Sequence, residues 1–311
     1  MWNASSIVSN FELNYKTLGD AITIESVSSL EDAKNNDLTF CSFEGDAAIS
    51  KISKSDAGII LCKKSLDGNI VPKSGQQLIF VNNPRLVFVQ FTNEHFNHQF
   101  QPKISSSAQI SSKAKIGKNC SIGDFVVIED DCTIGDNSII FPNVFLSHCK
   151  IGQNCIIQSG TAIGFDGFSY ERKPDQSLIK FPHFKGVIIG DNVEINCNCS
   201  IARGSLNDTT IDDGTKIDAL VHVGHNARIG KNCLLVAGTI VGGSSKIGDN
   251  CWMGENCNIL DRIHVGHNVI AGAGATITKH ISDNKVVVGT PAKSIKSNLN
   301  EIDLYRMGGQ H

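Results

Sequence analysis

Aromatic side chains are scarce in this sequence, 6% of 311 residues with two Trp and three Tyr, which excludes a core built on large rings. A dominant charge is also missing. Lys and Arg total 28 against 31 Asp and Glu, and the net −3 supplies no global field for a polyanion, so nucleic acid is not an expected partner. Nowhere do roughly 18 apolar residues run together, and no basic start with a following apolar run opens the chain. The expectation is a soluble, cytoplasmic protein without a transmembrane segment.

What the sequence does contain is a period of six. Ile211, Ile217, Val223, Ile229, Leu235, Val241, Ile247, Met253, Ile259 and Val265 follow one another at that interval without a break. Six fits neither the 3.6-residue helix nor the two-residue alternation of a flat strand. It fits a hexapeptide β-helix, in which three short extended units close one coil and one side chain per unit points inward. An earlier register runs Ile104, Ile110, Ile116, Ile122, Ile128, Ile134 and Ile140, with Gly117, Gly123 and Gly135 read as corner glycines. The register slips by one residue before Ile151, breaks for a loop over 165–185 and breaks again around Arg203-Gly204-Ser205-Leu206. Insertions in a solenoid become surface loops, often at the binding face, so the architecture points at residues 165–230.

Eleven cysteines might suggest disulfides or a metal. Yet Cys120, Cys132, Cys149, Cys155, Cys199, Cys233, Cys251 and Cys257 each lie two residues before a hexad aliphatic. In a strand those positions share a side, so the thiols are expected to fill the core. Residues 1–101 lack the hexads and read as a small α/β domain, with buried strands over 57–62 and 78–81 and an apolar helix over 86–96 after Asn83-Pro84. The fold class expected is mainly β: a small α/β domain over 1–101, a left-handed parallel β-helix over 102–293 and a short tail over 294–311.

Chemistry is sought first at Val221-His222-Val223-Gly224-His225-Asn226. A coil is 18 residues, so Gly243 lies one rung beyond His225 on the same edge. A glycine lets a substrate approach its N–H, as an oxyanion donor requires. His225 is the candidate for chemistry here, and Asp218 is expected to orient its imidazole. The phrase recurs as His264-Val265-Gly266-His267-Asn268, seven hexads later, which places it on a different side of the prism. A three-histidine zinc site needs a histidine about 36 residues ahead of a close pair, and residue 189 is Ile, so no metal is expected.

The order of motifs resembles the UDP-3-O-acylglucosamine N-acyltransferases of lipid A biosynthesis. The resemblance rests on Ile163-Gly164-Phe165-Asp166-Gly167-Phe168-Ser169-Tyr170, Ile201-Ala202-Arg203-Gly204, Asn207-Asp208-Thr209 and Gly224-His225-Asn226. It implies a homotrimer with active sites between subunits, a UDP-sugar acceptor and a 3-hydroxyacyl donor on the phosphopantetheine arm of acyl carrier protein, with no tightly bound cofactor. His225 then matches the base and Gly243 the oxyanion donor. Phe40 and Asn83 match uridine-domain positions, with Phe43 the ring left to stack on uracil. Asp166, Phe168, Tyr170 and Asn226 fall on substrate-binding stretches. Arg262 stands where the family carries a second histidine. Arg228, Lys231, Arg262 and Lys279 are candidates for meeting an acidic carrier. Two other readings stay open: a hexapeptide acyltransferase using acyl-CoA, and a sugar-nucleotide binder without catalysis.

Overall fold

A computed structural model describes residues 1–12, 14–96 and 100–297, and the chain divides into two units after residue 99. In the first unit, strands Ser26–Val27, Asp37–Cys41, Ile59–Lys63 and Gln77–Val81 run parallel, with Lys16–Gly19 antiparallel on the far edge. Alternate residues face opposite sides. Ile59, Leu61, Ile79 and Val81 join one buried cluster, while Ile60, Cys62, Leu78 and Phe80 join another. Both faces are covered, by helix Pro84–His95 on the first and helix Gly45–Lys54 on the second, which explains why these strands read as unbroken apolar runs. The expected strands and the helix after Pro84 are present. Helix Gly45–Lys54 was not expected; its amphipathic pattern buries Ala48 and Ile52, with Ile49 partly buried beside them.

The hexads of the second unit wind into a parallel β-helix with three sheets of nine, eight and ten strands, the last strand of the ten antiparallel. Register is set by the coil, 18 residues long where uninterrupted and 22 across the four-residue insertion. Val223 pairs with Ile201 and Val241, Ile229 with Ile211 and Ile247, and Ile217 with Ile195 and Leu235. The ten aliphatics from Ile211 to Val265 are all buried, none more than 3% exposed. The eight hexad cysteines are buried beside them as free thiols, and burial pushes that of Cys257 up to about 12.

The corners differ from expectation in one respect. Gly117 and Gly123 do not supply the left-handed turn. They stand where the next coil passes, and a β-carbon on Gly123 would lie 2.6 Å from the backbone nitrogen of Pro142. The left-handed conformation falls two residues later, at Asn119, Asn137, Asn226, Asn232 and Asn250 among others. Asparagine visits that region at less cost than other non-glycine residues. The C-terminal segment also differs. Where a short tail was expected, Lys293–Ser297 reverses after Gly289, whose φ is 93°, and pairs with Lys285–Val288 as a strand. The rest of the segment, residues 298–311, lies outside the described residues.

Leu220 occupies a left-handed corner with φ 63° and a 64% exposed side chain, so it carries the conformational cost without repaying it by burial. Leu220→Asn is expected to stabilise the coil by about 1 kcal/mol, read as a higher urea midpoint at unchanged slope.

Candidate active site

His225 lies at the corner that follows strand His222–Val223, and it ends that rung pointing along the solenoid instead of into it. Its own carbonyl accepts the N–H of Ser244, which fixes the next coil's Gly243 beside the ring. A β-carbon built on Gly243 would stand 2.9 Å from His225 Nε2. One built on Gly224 would stand 2.7 Å from the Gly243 nitrogen. Both glycines are therefore required by close approach. The first makes room for the imidazole, and the second keeps the Gly243 N–H uncovered. Among the described residues that N–H has no hydrogen-bond acceptor.

The imidazole is held from its other nitrogen. His225 Nδ1 is 2.8 Å from Asn226 Oδ1. Which way the amide points follows from its neighbours: Asn226 Nδ2 donates to the Asn207 carbonyl at 2.7 Å, and Oδ1 accepts from Ser205 Oγ at 2.8 Å and from the Ser205 N–H. An amide so pinned can only accept from His225, so Nδ1 carries the proton and Nε2 presents a lone pair toward Gly243. Thr209 Oγ1 accepts the Asn226 N–H at 2.9 Å and completes the cradle. Ser205, Asn207 and Thr209 all belong to or adjoin the four-residue insertion, which thus supplies the groups that hold the Asn226 amide.

Asp218 does not orient His225. Its carboxylate accepts from Asn196 Nδ2 at 3.1 Å and from the Ala219 N–H at 2.7 Å, on the corner after strand Lys216–Ile217. The 18-residue coil puts residue 218 one face away from residue 225, and Asn226, a neighbour in sequence, does the work instead. Arg262 is brought close: it occupies the corner one coil beyond Ser244, and its N–H donates to the Gly243 carbonyl at 2.9 Å.

The second copy of the motif proves chemically different. On its sheet, side chains two residues past the aliphatic accept backbone N–H groups of the preceding coil: Asp136 from Lys118, Asp249 from Lys231, Asp283 from His267. His267 takes an aspartate's place in that row, with Nδ1 accepting the Asp249 N–H at 2.9 Å. Its proton is then on Nε2, the reverse of His225. At the His225 corner the preceding coil has left the row for its insertion, which releases the side chain for other use.

The loop over 165–185 covers this corner. Asp166 pairs with Lys180 at 2.5 Å and lies 3.5 Å from Arg203 Nε, and the hydrogen bond from Lys180 holds its carboxyl below the usual range. Phe168 and Tyr170 stack at 5.0 Å on a hairpin of Tyr170–Arg172 with Leu178–Lys180, where Phe168 is 89% exposed. His183, which sequence reasoning left unassigned, lies with its ring centroid 5.6 Å from that of His225. Only the folded loop buries it, so nothing local in Phe181-Pro182-His183 announced it.

In the first unit, Asn83 caps helix Pro84–His95 by accepting the Leu86 N–H at 3.1 Å. Phe40 is half-buried against Phe88 at 4.9 Å. Phe43 remains half-exposed, with Lys51 Nζ 4.9 Å from its ring centre. No group of metal-binding side chains occurs among the described residues.

With this geometry in view, similar proteins can be placed. Residues 113–148, 131–164 and 208–243 match the bacterial transferase hexapeptide family, and 244–279 match the hexapeptide repeat of succinyl-transferase. Residues 21–93 match the family of UDP-3-O-(3-hydroxymyristoyl) glucosamine N-acyltransferase, LpxD. A probable UDP-3-O-acylglucosamine N-acyltransferase 2, mitochondrial, of Arabidopsis thaliana is 37% identical over 153 residues, 49% of this chain and 50% of that one. The UDP-3-O-acylglucosamine N-acyltransferase of Methylorubrum populi is 33% identical over 157 residues, 50% of this chain and 44% of its own. The chain thus spans about half the length of the curated relatives it matches. Among solved structures, UDP-N-acetylglucosamine acyltransferase of Francisella novicida superposes with a TM-score of 0.60 at 26% identity, over 67% of this chain and 74% of that one. The Campylobacter jejuni enzyme of the same name gives 0.57 at 24%, over 63% and 75%, and shows the shared fold. The resemblance to the N-acyltransferase family drawn from the motifs is borne out.

Two measurements follow. Asn226→Gly keeps the left-handed corner but removes the acceptor, so His225 should lose its single Nδ1–H tautomer in long-range ¹H–¹⁵N spectra. Burial also depresses the pKa of both His183 and His222. Their folded-state values lie below an unfolded value of about 6.5. The stability held by the neutral rings is complete above that value and declines as pH falls through it toward the folded values. Urea midpoints should therefore drop between pH 7.5 and 5.5, and the drop should shrink in His183→Gln.

Proposed function

We propose that this protein is an N-acyltransferase that moves a 3-hydroxyacyl chain from a carrier thioester to the 2-amine of UDP-3-O-acylglucosamine. The observation that carries this is the opposed pair at one corner: an imidazole lone pair on His225 Nε2 and the open N–H of Gly243 a single coil on. The amine attacks the thioester carbonyl and forms the C–N bond. His225 takes the amine proton, the Gly243 N–H meets the oxyanion, and collapse expels the thiol, which leaves protonated. General-base catalysis typically contributes about 10² to 10⁴. An oxyanion donor contributes on the order of 10² to 10³. No step in this scheme calls for a metal or a tightly bound cofactor.

The acceptor assignment is supported by the match of residues 21–93 to the N-acyltransferase family, since the solenoid by itself is common to several transferases. Uracil would stack on Phe43, the half-exposed ring of that unit. Asn83, already engaged as a cap through its oxygen, retains its amide nitrogen for the nucleotide. An anionic donor is supported by the cations Arg228 and Lys246, which stand in register on successive coils just past the His225 corner, with the imidazole of His264 on the third, all exposed. That surface suits the acidic exterior of acyl carrier protein. Of the other carrier candidates, Lys231 is tied to Asp213 at 3.0 Å. Assembly as a homotrimer is supported by the exposed rings and aliphatics of Phe168, Leu178 and Ile179 beside the site, which a neighbouring copy would cover. No helix among the described residues is long and apolar enough to cross a membrane, which accords with action in the cytoplasm.

Acyl transfer assayed with UDP-3-O-acylglucosamine and 3-hydroxyacyl carrier protein should be measurable in the wild type. It should fall at least about 10²-fold in His225→Ala, and a comparable loss is expected in Gly243→Ala, whose methyl would crowd Nε2. Preference for acetyl-CoA and simple amino sugars would favour the acyl-CoA reading. Full turnover in His225→Ala with loss in His267→Ala would move the site to the second copy.

A further inference from the structure

The reading of His225 as base leaves one feature unexplained. His183 is 95% buried by its 5% exposure, and neither Nδ1 nor Nε2 has a hydrogen-bond partner. Unpaired buried nitrogens are costly and uncommon, and a structure that keeps two of them on one ring calls for a reason. The ring is not placed at random. It meets His225 nearly edge-on, with an interplanar angle of 78°. Gly167 closes the gap between them: a β-carbon there would lie 2.8 Å from His225 Cβ and 3.0 Å from His183 Nε2. The His183 carbonyl is in turn clamped by a donated hydrogen bond from Arg203 Nη2, which ties the loop to the coil below.

We propose that His183 is a positioning residue of this site, an uncharged imidazole that buttresses the His225 ring so that Nε2 stays aimed at Gly243. The proposal rests on His225 being the base. Asn226 holds the ring at one nitrogen only, and a single hydrogen bond permits rotation about its axis. Contact with a second ring removes that freedom without competing for the Nε2 lone pair, provided the second ring donates nothing toward it. Burial is the main cause that keeps the His183 ring neutral, and the charged groups around it divide. Arg203 and Lys180 oppose a positive charge, His225 opposes one whenever it has taken a proton, and Asp166 is the acid that would favour one. Asp166 is already held by Lys180 and lies beside Arg203. Burial acts in the same direction and depresses the His183 pKa. A protonated His183 would set two cations face to edge as soon as His225 accepted its proton, so the doubly protonated site is inactive.

The test uses the full chain with His183→Gln, which keeps a planar side chain that cannot titrate, and His183→Ala, which removes the buttress. Far-UV circular dichroism and gel filtration establish that each is folded as the wild type is. In long-range ¹H–¹⁵N spectra at pH 7.5, His225 should keep its Nδ1–H tautomer in the wild type and in His183→Gln, and show a mixture in His183→Ala. In acyl-transfer assays His183→Ala should lose about tenfold in kcat at pH 8 with KM unchanged, and His183→Gln should recover most of it. The acid limb of kcat/KM should fall with two protons in the wild type and with one in His183→Gln. An unchanged His225 tautomer and full kcat in His183→Ala would overturn the proposal, as would the same two-proton limb in His183→Gln. The spectra decide the positioning role even if the acyl-transfer assay detects no turnover in the wild type, so failure of the substrate assignment is distinguishable from failure of this one.

Discussion

The site depends on one constraint, the hydrogen bonding of each short strand to its counterpart on the next coil, eighteen residues on where no insertion intervenes. Ser244 N–H to the His225 carbonyl is one such bond, and Arg262 N–H to the Gly243 carbonyl is the next. These bonds convert a distance in sequence into adjacency in space. The buried aliphatics keep the coils from sliding, because a one-residue slip would turn the whole apolar column outward. His225 and Gly243, the proposed base and oxyanion donor, are therefore aligned by the same force that makes the core.

Much of this was legible from the residues. A strict six-residue interval specifies the solenoid, and adding eighteen to 225 lands on a glycine. The cysteines read correctly as core because their offset from the aliphatics is fixed by strand geometry. What failed was any inference that depended on where an inserted segment folds. Asp218 looked like an orienting acid because it is close in the chain, whereas the corner between it and His225 sends its carboxylate to Asn196. The true orienting group, Asn226, was in plain view inside the motif. Its importance depends on Ser205 and Asn207, which an irregular insertion brings to it. His183 belongs to the same class, since burial is conferred on it by a loop with no period to follow.

The two copies of the motif show how little of the chemistry lies in the residues themselves. His225 and His267 have the same neighbours in sequence, yet opposite ring nitrogens carry the proton. The difference lies in what the preceding coil offers: a backbone N–H at one corner, an insertion that has departed at the other. A motif on a repeat scaffold acquires a role only where the repetition is broken.

Each coil touches only the one before and the one after, so the solenoid behaves as a stack whose rungs loosen from the free faces inward. On their sheet the rungs bearing His225 and Gly243 have two further strands on the C-terminal side and five on the N-terminal side. Fraying at the terminal coils must pass through those rungs first, so the geometry of the proposed site is buffered by its place along the stack.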